Sequence, residues 1–388
     1  MTTLLLKWFV PNYQNTRDPH VRDAYGTLSG VTGILLNLLL SAGKFIAGLL
    51  TASIAITADA INNLSDAGSS IVSLVGFKMA NQPAHKDHPF GHGRIEYVAG
   101  LIVSMIIILM GFELAKSSIS KILHPEAMQF SLISLIILLC SIAVKLWMAL
   151  FNNRLGQLID SPTLRATATD SLSDTIATTV VVLCMLINHF AQVNIDGIAG
   201  LIVACFILFA GYNTAKDTLS PLLGQAPDPE FVQAISDVVM EHSDIIGLHD
   251  LIIHNYGPGR TMMSLHAEVP NDADIMQLHD TIDIIEHELK QKFQCDAVIH
   301  MDPILIDDTQ TILMREKIAI LVRSIAPDCT IHDFRMTKGP QHTNLIFDLV
   351  IPYQCPLSEE EVLRKLKDQI AQLDGKYYAV IQIDRSYV

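Results

Sequence analysis

Asn62 and Asp66 stand four residues apart in "AINNLSDAGSS" (60–70), and Asp170 and Asp174 repeat that spacing in "DSLSD" (170–174). On a helix, residues i and i+4 share a face, close enough to hold one ion between them. Both pairs lie in stretches otherwise apolar enough to cross a bilayer. A carboxylate at membrane depth costs roughly 2.5–3.5 kcal/mol on insertion scales, so it needs a partner or a purpose. Two such faces opposed make a four-oxygen site from Asn62, Asp66, Asp170 and Asp174. The competing reading of any one of these residues is an interhelical hydrogen bond, the commoner fate of a lone asparagine. Three carboxylates in two matched pairs argue for a cation, since without one they repel each other or stay protonated.

The donor chemistry narrows the ion. Amide and carboxylate oxygens, with no His or Cys among them, are hard ligands that suit Mn²⁺, Mg²⁺ or Ca²⁺ over zinc. Mn²⁺ is the favoured cargo, with Fe²⁺, Zn²⁺ and Co²⁺ behind it.

Helices must carry these pairs. A bilayer core of about 30 Å needs about 20 helical residues. Six apolar stretches meet that length, roughly 30–53, 55–80, 95–118, 129–152, 165–190 and 194–215. The second and fifth are the least apolar, and a polar stripe on a membrane helix must face protein or a water-filled cavity. Lys44 and Lys145 are further charges at membrane depth, able to pair with carboxylates or to snorkel. Basic residues gather in the arm before the first span (Lys7, Arg17, Arg22) and in the joints at 81–94 and 153–165. By the positive-inside rule these, and both termini, are cytoplasmic. The N-terminal "MTTLLLKWFVPNYQNTRDPH" is too short in its apolar part to be a cleaved signal peptide.

Charge divides the chain. Half of the 388 residues are apolar, yet the net charge is −14. Residues 1–225 carry 13 Lys/Arg and 13 Asp/Glu, and residues 226–388 carry 13 against 27. The reading is an apolar membrane half and an acidic, water-soluble half. Nucleic acid is excluded as a partner, because no basic patch exists to meet phosphates. The six cysteines (140, 184, 205, 295, 329, 355) form no CxxC pair and suit free thiols in a reducing compartment. There is no GxxxxGK[ST] loop for an ATP-driven pump and no nucleophile–base pair for covalent catalysis. The sequence therefore predicts no enzyme and no prosthetic group.

The soluble half repeats itself. "IGLHDLIIHNYGPGRTMMSLHAEV" reads as two strands around a Gly-Pro-Gly turn, between helices at 229–242 and 272–293, with "CDAVIHMDP" as a last strand. That is an αββαβ, ferredoxin-like unit. "TIHDFRMTKGPQHTNLIFDLVIP" then aligns His332–Asp333 with His249–Asp250 and Gly339–Pro340 with Gly257–Pro258, so the unit is duplicated. The predicted domains are a cytoplasmic arm (1–29), a six-helix transmembrane domain (30–220), a first αββαβ unit (226–305), for which the resemblance set out next implies metal binding and dimerisation, and a second unit (310–388).

Six spans with paired xxxxD motifs, "FGHGRIE" (90–96) after the second span and a soluble unit ending in "HMDP" resemble the cation diffusion facilitator family. The resemblance covers about residues 20–303. It implies homodimers that export divalent metal from the cytoplasm by proton antiport, with alternating access. The family's zinc members carry Asp-xxx-Asp on helix two and His-xxx-Asp on helix five. Asn62 and Asp170 depart from that pattern and resemble the manganese branch, in which carboxylates rather than a histidine would carry the proton. The resemblance places a loop site at His85, His88 and His92, against the plainer reading of a solvated loop whose histidines cap or pack. It places a cytoplasmic site at His249, His266, His279, His300 and Asp302. The "HMD" spacing itself puts His300 and Asp302 on one face of a strand. In the second unit Gln382 and Asp384 replace His300 and Asp302, and Phe347 or Asp348 replaces His266, so that copy is expected to have lost its metal site. The alternatives are a broader Zn²⁺/Fe²⁺/Co²⁺ exporter, and a membrane-bound metal sensor without transport.

Overall fold

A computed structural model describes the chain except for residues 1, 17, 52–53, 125–130, 192, 194, 259, 305–308, 339–342 and 387–388. The repeat anchor Gly339–Pro340 lies outside the described residues, as does the side chain of Asp59. The chain divides into two compact units, residues 1–225 with 255–260, and residues 226–254 with 261–388.

The first unit is helical. A short α1 (Thr2–Phe9) precedes six long helices: α2 (Pro19–Thr51), α3 (Ile54–Ala80), α4 (Ile95–Leu123), α5 (Leu132–Leu158), α6 (Pro162–Ala191) and α7 (Asp196–Leu219). Five of the six are long and apolar enough to cross a membrane; α3, which holds "AINNLSDAGSS", is the exception among the described residues. Large apolar side chains such as Leu39, Leu109, Phe112, Leu150 and Phe209 are exposed, as helices facing lipid require. The predicted arm at 1–29 is itself largely helical. α2 already begins at Pro19, and Leu6 and Val10 are buried with Val21, Tyr25, Phe77 and Phe151. The apolar face of α1 finds a core and folds onto the bundle.

Within the bundle α2 packs on α3, α4 on α7 and α5 on α6, while α6 also meets α3 and α4. At the α4–α7 crossing, a Cβ on Gly211 would lie 2.8 Å from Ile108 Cγ1, so glycine permits the close approach that membrane helices use. On α6 the hydroxyls of Thr167, Ser171, Thr175 and Thr179 each donate to the carbonyl four residues back, at 2.7–3.1 Å. Much of the polar stripe of α6 is thereby satisfied within its own helix. Its carboxylates are not served this way.

The second unit holds two αββαβ modules. The first is α8 (Pro229–Met240), β1 (Gly247–Asn255), β2 (Thr261–Pro270), α9 (Ile275–Phe293) and β3 (Cys295–Ile304). The other is α10 (Thr309–Ile325), β4 (Thr330–Lys338), β5 (Thr343–Pro352), α11 (Glu359–Ala371) and β6 (Tyr377–Ser386). The sheets run β1-β2-β3 and β4-β5-β6, with β2 parallel to β3 and β5 parallel to β6. The registers coincide: Thr261 pairs with Cys295 in one sheet and Thr343 with Tyr377 in the other. Each module has its own apolar core, one around Leu265, Ile285 and Leu289, the other around Phe347, Leu349 and Leu366. Alternation along β2 and β5 sends those core residues to one face, leaving His266 and Asp348 on the other.

Candidate metal centres

α3 and α6 bring the predicted carboxylates into the bundle, where Asp66, Asp170 and Asp174 are 2%, 4% and 8% exposed. The two helices touch through Ser73 and Thr167, whose hydroxyl oxygens lie 2.9 Å apart. Asn62 does not join them. It is exposed, whereas Asn63 is buried. The buried ridge of α3 runs Asn63, Asp66, Ala67, Ser70 and Ser73, following i+3 and i+4 steps. Asn62 falls one residue outside that ridge, so the expected four-oxygen set contracts to three carboxylates.

The spacing of the two pairs did not indicate what lies between them. Lys145 of α5, 3% exposed, donates to Asp66 Oδ2 at 2.6 Å and to Asp174 Oδ2 at 2.7 Å. The ammonium thus bridges the two helices that carry the carboxylates. Its sequence signal is a single lysine inside the apolar run "CSIAVKLWMALF". Buried charges persist when paired and hydrogen-bonded, and this one has two carboxylate partners.

The loop after α3 gathers its three histidines. The rings of His85, His88 and His92 have centroids 4.6–5.1 Å apart, and one nitrogen from each lies within 4.8 Å of the others. The backbones of His85 and His88 exchange hydrogen bonds, and Gly91 turns the chain at φ 78°. His92 is 9% exposed, and its Nδ1 is buried without a hydrogen-bond partner. Residues 255–258 and Arg260, at the tip of the β1–β2 hairpin, pack against this loop within the first unit. Phe90 stacks on Tyr256 at 4.6 Å, and Arg94 donates twice to the Asn255 carbonyl. Gly257, at φ 116°, has no room for a side chain: a Cβ would sit 2.3 Å from the Gly93 backbone.

In the second unit His249, His266 and Asp302 form a cluster within 4.8 Å. Asp302 Oδ2 lies 3.2 Å from His249 Nε2 and 2.9 Å from His266 Nδ1. His300 borders it, opposite His266 in the β2–β3 register and 3.4 Å from Asp302, but its side chain is two-thirds exposed. His279 stands apart. It pairs with Asp283 one turn along α9, and both are exposed.

The other module, expected to lack a metal site, also gathers ligand-type side chains. β5 places Asp348 where β2 has His266, and β6 places Asp384 where β3 has Asp302. With His332 they form a second cluster within 4.8 Å. Burial, then the facing Asp384 carboxylate, hold Asp348 above the ordinary carboxylate range. The two clusters adjoin, for the rings of His249 and His332 stack at 4.0 Å.

Residues 31–223 match the cation efflux transmembrane domain, and residues 227–304 match the cytoplasmic domain of cation efflux proteins. The second αββαβ module lies beyond those matches. An uncharacterized transporter of Methanocaldococcus jannaschii is 29% identical over 273 residues, covering 70% of this chain and 96% of that protein. The cation-efflux pump FieF of Cronobacter sakazakii is 26% identical over 283 residues, covering 72% and 94%. The FieF of Escherichia fergusonii is 25% identical over 287 residues, covering 73% and 95%.

Proposed function

Because the chain belongs to the cation diffusion facilitator family of cation efflux transporters, we propose that it exports divalent cations, Mn²⁺ foremost, from the cytoplasm by proton antiport. The observation that carries this reading is the buried set Asp66, Asp170 and Asp174, contributed by α3 and α6 and free of imidazole or thiolate. Oxygen-only donors favour a hard cation. With no histidine among them, the carboxyl groups must carry the counter-proton.

Lys145 gives the cycle a second cation. Its ammonium sits between Asp66 and Asp174, so an entering metal ion must displace it before both carboxylates can close to the roughly 2.0–2.6 Å of metal–oxygen bonds. The chain works as a homodimer in the cell membrane with both termini cytoplasmic. The basic joints at 81–94 and 153–165 support that orientation.

Transport into inverted vesicles, comparing Mn²⁺, Zn²⁺, Fe²⁺ and Co²⁺ across an imposed pH gradient, tests the reading. Mn²⁺ uptake should be fastest and should collapse with the gradient. Asp66→Ala or Asp174→Ala should abolish uptake while the protein stays folded. Wild-type uptake by either variant would refute the site. Zn²⁺ preferred over Mn²⁺ would favour the broader exporter instead.

A further inference from the structure

His332, Asp348 and Asp384 offer one nitrogen and two carboxylate oxygens within 4.8 Å of one another. Asp348 and Asp384 hold the sheet positions that His266 and Asp302 hold in the first module. Hydrogen bonding does not explain the set. His332 is 6% exposed, and both of its ring nitrogens are buried without a hydrogen-bond partner, as is Asp384 Oδ2. Leaving a buried polar group unsatisfied is costly, and coordination to a metal offsets that cost. His332 Nε2 lies 3.3 Å from Asp384 and 3.5 Å from Asp250, near both but hydrogen-bonded to neither.

Asp250 comes from the other module. Its Oδ1 is the atom near His332, and its Oδ2 lies 3.4 Å from His249 Nδ1. A left-handed backbone, φ 51°, re-aims the chain at this position, and the matching Asp333 has φ 49°. Their fates differ. Asp333 is held by the Arg335 guanidinium at 2.6–2.9 Å, whereas Ile252 stands two residues after Asp250. One of the paired aspartates is neutralised within its own module, and the other reaches across.

We propose that the second module holds a divalent-cation centre of its own, built from His332, Asp348 and Asp384, and that Asp250 bridges it to the centre at His249, His266 and Asp302. One imidazole against two carboxylates makes it the harder of the two centres, better suited to Mn²⁺ than its neighbour with two imidazoles. Bound metal, not transport, is the readout, so the proposal stands or falls apart from the reading of the membrane site.

Crystals of the full-length protein soaked in Mn²⁺ alone should give an anomalous peak between His332 Nε2 and the carboxylates of Asp348 and Asp384. A peak at the first-module cluster with none at His332 would overturn the proposal. Equilibrium dialysis of the full chain supplies the second arm. The Asp348→Asn/Asp384→Asn variant keeps the side-chain shapes and should bind one equivalent of Mn²⁺ fewer than the wild type, the membrane carboxylates being intact in both. Equal stoichiometry would also overturn it. Asp250→Asn should weaken both cytoplasmic centres, by roughly 10–100-fold. Weakening at one centre only would remove the bridge from the proposal.

Discussion

At the scale of single residues, Lys145 changes the chemistry expected of the bundle most. A site read as carboxylates around a metal also holds a tethered ammonium, 2.6 and 2.7 Å from two of them. Removing one member of a buried ion pair costs roughly 3–5 kcal/mol, because the remaining charges stay behind uncompensated. Lys145→Met should therefore lower the unfolding temperature of the detergent-solubilised protein. If the ammonium stands in for the cargo, Mn²⁺ should then raise the midpoint of Lys145→Met by more than that of the wild type. An equal or smaller rise would assign Lys145 a purely structural part. The sequence displayed this lysine openly, but pattern alone could not say that its partners would come from α3 and α6.

At the scale of elements, the six long helices and the αββαβ order were legible because hydrophobic run length and strand alternation are strong signals. The orientation of α3 was not. Asn62 and Asn63 are adjacent, and packing against α2, α4 and α6 decides which of them turns inward. The i, i+4 relation to Asp66 holds for Asn62, yet the buried ridge is centred on the i−3 side, at Asn63. Asn62→Ala should accordingly leave Mn²⁺ uptake near wild type, and Asn63→Ala should reduce it. Vesicle assays of the two variants side by side check this, and the reverse order would put the predicted residue back in the site. The ligand-type cluster of the second module was hard to read from sequence for a related reason. Reading Phe347 or Asp348 opposite His266 left the register open by one residue, and one residue flips a strand's side chains between core and cluster. Phe347 is in the core, so Asp348 belongs to the cluster.

At the scale of the whole molecule, the division near Gln225 that charge suggested coincides with the division into compact units, apart from the hairpin tip at 255–260. The second unit carries a pH signature of its own. Burial pushes the Cys295 thiol from 9.0 up to about 11. A thiol whose folded value is raised contributes stability that is fully present below its unfolded value and is lost as pH rises through the folded one. The stability of the second unit should thus decline between pH 9 and about 11, and Cys295→Ser should flatten that decline. Denaturant titrations at several pH values, scored by circular dichroism, would show it; a Cys295→Ser curve parallel to wild type would not fit. Duplication has a further consequence. Only four residues separate Ile304 from Thr309, so His249 and His332 are delivered on one covalent thread. Joining the two modules through so short a span imposes an effective concentration on the order of millimolar, whatever the abundance of the chain. Pairing of the two modules is then intramolecular, and the juxtaposition of His249 with His332 does not depend on the number of copies of the chain in the membrane.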